Sequence, residues 1–117
     1  MKKSLSVKDR LVLDMLMPKQ GSAFDLVVSR NFSKRIEFGA DEQEALNLRM
    51  EDGQLKWDSE KEKTIEVEFK VREVSVIKKA VENLDKNNNL GIEAFEVCEK
   101  LDLLPDSIKE KIEGVDK

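Results

Sequence analysis

The most constraining feature of this chain is a change in the spacing of its apolar residues. Before residue 46 and after residue 73, apolar side chains recur every three or four positions, as amphipathic helices require. Between residues 48 and 70 they alternate with polar side chains, as half-buried strands require. A chain with helical spacing on both sides of an alternating segment is predicted to adopt an α+β fold.

The dipeptide Asp52-Gly53 predicts a two-residue β-hairpin turn, because glycine and aspartate tolerate the positive φ that such turns need. In this register Met50 lies opposite Leu55. A third strand is predicted over residues 64–70, where apolar and charged side chains alternate. We therefore expect a small three-stranded antiparallel sheet whose inward face consists of Leu48, Met50, Leu55, Trp57, Ile65, Val67 and Phe69.

Two serine caps predict the first pair of helices. Ser6 is followed by Asp9 and Ser22 by Asp25, and this spacing satisfies the first free backbone N–H groups of a helix. The helices are expected to end near residues 17 and 38, before a proline and a glycine. Their predicted inward faces contain Leu11, Val12, Met15, Leu16, Phe24, Val28, Phe32 and Ile36, with Val27 flanking the face of the second helix.

A second pair of helices is predicted over residues 73–84 and 92–101, where apolar residues return to helical spacing. A short helical turn is also expected near Asp41. The predicted fold is thus four main helices packed on a small three-stranded antiparallel sheet. Residues 1–105 are expected to form a single domain, and residues 106–117 a C-terminal tail with a short or frayed helix.

The residue types that are missing narrow the chemistry. The 117 residues include no histidine and a single cysteine, so Ser-His and Cys-His catalytic pairs and an intrachain disulfide are excluded. Cys98 lies among apolar residues at helical spacing, which indicates a buried and inert thiol. The sequence has no glycine-rich phosphate loop. We therefore expect a non-enzymatic protein that uses no cofactor.

The length of the apolar segments bears on the location of the protein. No apolar segment approaches the length of a membrane span. Lys8, Asp9 and Arg10 interrupt the apolar residues near the N-terminus, so the apolar region of a signal peptide does not form. We expect a cytoplasmic protein that makes no contact with a membrane.

Residues 85–96 have the ligand spacing of an EF-hand calcium loop, with oxygen-bearing side chains at Asp85, Asn87, Asn89, Glu93 and Glu96. Leu90 stands at the sixth position, where glycine makes the sharp turn, and Gly91 follows one residue late. A weak calcium site is one interpretation of this segment. The other is a helix-loop-helix connection in which the polar residues act as caps and turn formers.

Protein binding is the function class left by these exclusions. Trp57 on the hairpin, and Arg30 and Lys34 on the second helix, are candidate contacts. Tryptophan and arginine are enriched among the residues that contribute most to protein interfaces. The partner is expected to be an unidentified protein or a second copy of this chain.

A winged-helix DNA-binding protein is a further alternative. Residues 1–40 contain eight basic and four acidic side chains, whereas residues 41–117 contain thirteen and twenty-one. Arg30 and Lys34, with other N-terminal cations, would supply phosphate contacts. The net charge of −4 and the lack of a dense basic cluster disfavour nucleic acid as a partner.

Several segments carry a resemblance to known proteins. Arg10–Gly21 is an arginine-led, leucine-rich helix that ends in a proline turn, and it is followed by the acidic turn Asp41–Glu44, by Gly53–Trp57 and by the strand T-I-E-V-E-F. Over most of residues 8–103 the chain resembles a family of small uncharacterised bacteriophage and prophage proteins. Together with the excluded chemistry, this resemblance leads us to expect a phage accessory protein in the cytoplasm of a bacterial host. It supplies no catalytic residues.

Overall fold

The computed structural model describes residues 1–115 of the chain. Over these residues it contains six α-helices, four β-strands and a short 3-10 turn at Ser59–Lys61. In chain order the helices and strands are β1 (Lys2–Leu5), α1 (Val7–Leu16), α2 (Ala23–Ile36), α3 (Ala40–Leu46), β2 (Arg49–Glu51), β3 (Gln54–Lys56), β4 (Ile65–Glu68), α4 (Val71–Lys86), α5 (Ile92–Lys100) and α6 (Asp106–Val115). The α+β class predicted from the sequence is confirmed.

Helices α1 and α2 begin where the serine caps predict. The Ser6 hydroxyl accepts a hydrogen bond from the Asp9 N–H at 3.1 Å, and the Asp9 carboxylate accepts one from the Ser6 N–H at 2.9 Å. This reciprocal pair is a capping box. The Ser22 hydroxyl accepts from the Asp25 N–H at 3.1 Å and caps α2, without the reciprocal bond from the Asp25 carboxylate.

The three-stranded sheet predicted from the sequence is wrong. Strand β4 pairs antiparallel with β1, with Leu5 opposite Ile65, and β2 and β3 form a separate two-stranded hairpin. Strand β1 escaped prediction because Lys2–Leu5 is too short, and too rich in lysine, to show an alternating pattern. Strand β1 therefore pairs with β4 in place of the hairpin strand that was expected there.

The hairpin itself has the predicted turn and register. Met50 lies opposite Leu55, and Asp52 and Gly53 adopt φ of 52° and 77°, as a type I′ turn requires. Its predicted inward face is wrong, because Met50 is 65% exposed and Leu55 is 36% exposed. The hairpin lacks the third strand that would have held this face against the helices.

The core lies between the β1–β4 ribbon and helices α1, α2, α4 and α5. Its largest fully buried apolar side chains are Phe32, Leu5, Leu13, Met17, Ile36, Ile77 and Leu103. Ile108 of α6 belongs to the same cluster, whereas Val115 at the end of that helix is exposed. Residues 116–117 of the predicted C-terminal tail lie outside the described residues, and the division of the chain at residue 105 stays a prediction.

Three helical residues that were predicted to face inward are exposed, namely Met15 on α1 and Phe24 and Val27 on α2. Asp25 faces α4, because its carboxylate forms an ion pair with Lys79 at 3.4 Å. With 3.6 residues per turn, Phe24 points about 100° away from Asp25 around the helix axis. The aromatic ring is therefore turned away from the helix that would have covered it.

Candidate protein-interaction surface

The buried charged groups of the described chain serve as ties between elements. Arg10 on α1 lies against the last turn of α2, where its guanidinium donates to the Ile36 carbonyl at 3.0 Å and to the Glu37 carbonyl at 2.9 Å. It also forms a bidentate ion pair with Glu42 of α3 and stacks 3.9 Å from the centroid of the Phe38 ring. This hydrogen bonding to Arg10 lowers the pKa of the Glu42 carboxyl.

Glu73 makes the second tie, between α4 and α2. Its buried carboxylate pairs with Arg35 and accepts a hydrogen bond from the Lys70 N–H at 2.8 Å. Burial alone would raise the pKa of Glu73, but the hydrogen bonds from Arg35 and the Lys70 backbone outweigh it, and the pKa is lowered. Arg35 also donates to the Glu68 carbonyl at the end of β4, so one guanidinium joins three elements.

Asp9 makes the third tie, from the start of α1 to α5. Both of its carboxylate oxygens lie 2.7 Å from the Lys100 ammonium. Cys98 on α5 is buried as well, and burial raises the pKa of its thiol to about 11. Because the thiolate is the reactive form, a thiol with this pKa is a poor nucleophile at neutral pH. Arg10, Glu73 and Asp9 are thus each engaged in contacts that join two or more elements of the fold.

The candidate calcium ligands lie in the connection between α4 and α5. The Asp85 carboxylate is 2.7 Å from the Lys111 ammonium, so the first ligand position is occupied by an ion pair. The left-handed residue of this loop is Asn88, with φ of 57°, and Leu90 does not adopt that conformation. Across residues 1–115, no group of three or more acidic, cysteine or histidine side chains is placed to hold a metal ion.

This geometry favours the interpretation of residues 85–96 as a turn. Asn87 follows the last residue of α4, and its N–H group donates to the Asn83 carbonyl at 3.2 Å. Gly91 precedes α5, and Glu93 lies in the first turn of that helix, where a carboxylate opposes the helix dipole favourably. Glu96 is exposed, and Asn89 lines a surface groove. The calcium site stays a prediction that none of these contacts supports.

Trp57 follows β3 and is half-buried. Its indole N–H lies 3.4 Å from one carboxylate oxygen of Glu62, whose other oxygen accepts a hydrogen bond from the Val7 N–H at 2.7 Å. Trp57 is therefore linked through Glu62 to the start of α1. A half-buried ring with its N–H group partnered is a poorer docking residue than a fully exposed one.

Arg30 and Lys34 lie one turn apart on the exposed side of α2. The same side carries Phe24, which is 63% exposed, and Val27, which is 45% exposed. We call these four residues the α2 outer face. The structure thus joins two predicted contacts to two apolar residues that sequence reasoning had missed.

A signal for this face was present in the sequence. Phe24, Leu26, Val27 and Val28 are four large apolar residues among the first six of α2. Four such residues span more of the helix circumference than one buried stripe can cover. Some of them had to face solvent or a partner.

No described helix combines the length and the apolar composition needed to cross a membrane.

Comparison with protein-family models, curated protein sequences and solved structures gives no match to this chain. The resemblance to bacteriophage and prophage proteins stays a prediction.

Proposed function

We propose that this chain is a non-enzymatic accessory protein of a bacteriophage or prophage that acts in the host cytoplasm by binding another protein. The observation that carries the proposal is the α2 outer face. It places an exposed aromatic ring and an exposed valine beside two cations on one rigid helix.

The energetics of this face suit a binding surface. Moving a phenylalanine or valine side chain out of water is worth about 1.5–3 kcal/mol when burial is complete. Phe24 and Val27 are each partly exposed in the free chain, so a partner that covers them gains a useful fraction of that energy. Arg30 and Lys34 add charge complementarity, which mainly sets partner choice and association rate.

Helix α3 argues for protein over DNA as the partner. In a winged-helix protein, the helix before the hairpin is the one that enters the DNA groove. Here that helix is α3, which carries Asp41, Glu42 and Glu44 and has no lysine or arginine. Three carboxylates on this helix would repel the phosphate backbone.

Site-specific photo-cross-linking tests the proposal. A photoreactive amino acid replaces Val27 in one variant and Lys56, on the exposed hairpin, in a matched control. Both are expressed in cells that carry the source phage or prophage. We expect a discrete protein adduct from position 27 and none from position 56.

A charge-reversal pair sharpens the same test. Arg30→Glu/Lys34→Glu should abolish the adduct at position 27. Lys61→Glu/Lys63→Glu, an equal change of charge at exposed positions, should leave it intact. No adduct at position 27 would contradict protein binding by α2, and an adduct only at position 56 would assign binding to the hairpin instead.

A further inference from the structure

We infer that the protein bound by the α2 outer face is a second copy of this chain, which presents helix α5. This inference rests on the proposed function and names its partner. The argument comes from three matched features of α2 and α5: the spacing of their exposed residues, the sign of their charges and a groove beside α5.

Helix α5 has a simple outer face. Ile92, Glu96 and Glu99 follow one another at four and three residues, so they form one stripe along the helix. Ile92 is 67% exposed and both glutamates are exposed, whereas Val97 and Cys98 are buried on the opposite side. We call this stripe the α5 outer face. It begins with an apolar side chain and continues with two carboxylates.

The α2 outer face has the complementary order. Val27, Arg30 and Lys34 follow one another at three and four residues, again over seven positions. With a rise of 1.5 Å per residue, each stripe is about 10 Å long. Parallel docking of the two helices therefore places valine on isoleucine and brings both cations opposite both carboxylates.

Phe24 has a receiving site in this arrangement. A groove of about 590 Å³ lies at the N-terminal end of α5 and is lined mainly by Val12, Met15, Leu16, Leu84, Gly91, Ile92 and Ala94. Phe24 lies about one turn before Val27 on α2, and the groove extends before Ile92 on the docked helix. The exposed aromatic ring of one copy thus meets the apolar groove of the next.

The two faces belong to different sides of the molecule. Helix α1 packs against both α2 and α5, and so lies between them. One copy therefore cannot use its own α5 to cover its α2. We therefore infer a heterologous contact, with α2 of one copy against α5 of another, and such contacts build rings or open chains.

The charge distribution along the chain agrees with this head-to-tail contact. Residues 1–40, which include α2, carry eight basic and four acidic side chains, and the remainder carries thirteen and twenty-one. Two copies in head-to-tail order bring Arg30 and Lys34 of one against Glu96 and Glu99 of the next. This attraction should weaken as ionic strength rises, because exposed charges are screened beyond about 10 Å at 0.1 M salt.

Complementation between two half-interface variants tests the inference. Variant one, Arg30→Glu/Lys34→Glu, reverses the charge of the α2 outer face. Variant two, Glu96→Lys/Glu99→Lys, reverses the charge of the α5 outer face. Sedimentation velocity and native mass spectrometry at low salt report the assembly state, and circular dichroism verifies that each variant folds. Protein concentrations reach about 1 mM, so that weak contacts are detected.

The expected pattern is specific to a head-to-tail contact. The unmodified chain self-associates, and each variant alone associates at least tenfold more weakly. An equimolar mixture associates again and builds alternating assemblies larger than a 1:1 dimer, because the reversed α2 face of variant one also complements the reversed α5 face of variant two. The chain with all four reversals associates again, since its charges are exchanged but still complementary.

Three results would overturn the inference: a monomeric unmodified chain at the highest concentration, self-association that both variants retain, or a mixture that stays monomeric. A monomeric chain whose position 27 still cross-links to a different protein would overturn the second-copy partner and leave the proposed function in place. A monomeric chain without any such adduct would overturn both.

Discussion

The β1–β4 ribbon and the β2–β3 hairpin are both short antiparallel pairs, yet the ribbon buries apolar side chains in the core and the hairpin leaves its own exposed. Leu5 and Val67 of the ribbon are buried, as is Phe69, which directly follows β4. Met50 and Leu55 of the hairpin are exposed. A two-stranded pair has little stability of its own. The difference therefore indicates that packing against helices decides how much such a pair adds to the stability of the fold.

The two regions are consequently held by different forces. The ribbon is held by apolar burial against α1, α2 and α4. The hairpin is tethered at its base by polar contacts, in which the Asp58 N–H donates to the Leu46 carbonyl at 2.9 Å and Arg49 pairs with Asp58 at 3.2 Å. Arg10 holds the preceding helix α3 through Glu42. Mutations should therefore have different consequences in the two regions.

The largest loss of stability is expected when a buried aromatic ring beside the β1–β4 ribbon is truncated. Phe69 packs on Phe32 with ring centroids 5.2 Å apart, and Phe69→Ala leaves a cavity. We expect a loss of about 3–5 kcal/mol in the free energy of unfolding, measured by urea denaturation with far-ultraviolet circular dichroism. The hairpin control Met50→Ala should change it by less than about 0.5 kcal/mol. Similar losses for the two variants would refute the contrast.

Next in size is the loss of the buried arginine that anchors α3. Arg10→Met leaves the Ile36 and Glu37 carbonyls and the Glu42 carboxylate without their donor. We expect a loss of about 1.5–3 kcal/mol, with early hydrogen exchange in residues 38–58. Arg49→Met removes exposed ion pairs of the hairpin and should cost under about 1 kcal/mol. Equal costs at the two positions would show that burial does not decide the strength of these ties.

A smaller effect, with a distinct pH dependence, is expected for the tie between α2 and α4. The pKa of Glu73 lies below its ordinary value of 4.5 in the folded chain. A carboxyl with a depressed folded pKa stabilises the fold above the unfolded pKa, and this contribution is lost as pH falls through the folded value. Glu73→Gln should therefore cost about 1–2 kcal/mol at pH 7, and its deficit should shrink as the pH falls below 4.5.

Denaturation curves between pH 3 and pH 7 would measure this trend, with Glu66→Gln, an exposed carboxylate on β4, as the control. The control should lie within about 0.5 kcal/mol of the unmodified chain at pH 7. A deficit for Glu73→Gln that does not depend on pH would mean that the lost contact is one of packing and not of charge.

The smallest effect belongs to the hairpin turn. Gly53 has φ of 77°, where a side chain is strained. Gly53→Ala should therefore lower the free energy of local opening of the hairpin by about 1 kcal/mol. The loss should appear as faster hydrogen exchange within residues 49–58 and a nearly unchanged melting temperature. Gly114→Ala, within α6 and with open space for a Cβ, should be neutral or slightly stabilising. A global loss of stability from Gly53→Ala would show that the hairpin is part of the core.

Local signals in the sequence predicted local structure well. The two serine caps, the Asp52-Gly53 turn, the Met50–Leu55 register and the switch in periodicity each depend on neighbouring residues. Each is therefore visible in a short window of sequence. The α+β class followed from the same local rules.

Pairing between distant segments was not visible in this way. Residues 2–5 pair with residues 65–68, and no short window reveals that β4 has a partner near the N-terminus. Once β1 takes that place, the hairpin loses its expected neighbour and its apolar face stays exposed. Phe24 was missed for a related reason, since helical spacing indicates a common face but does not tell how much of that face a neighbouring helix covers.

The isolated position of the hairpin has a practical consequence. Its tip at Asp52 and Gly53 is exposed and its base is tethered, so inserted residues can leave the tip without displacing any core side chain. A short epitope placed between these two residues would label the chain at a site that belongs to neither α2 nor α5. Antibody capture through such a label would recover complexes with their helical contacts undisturbed.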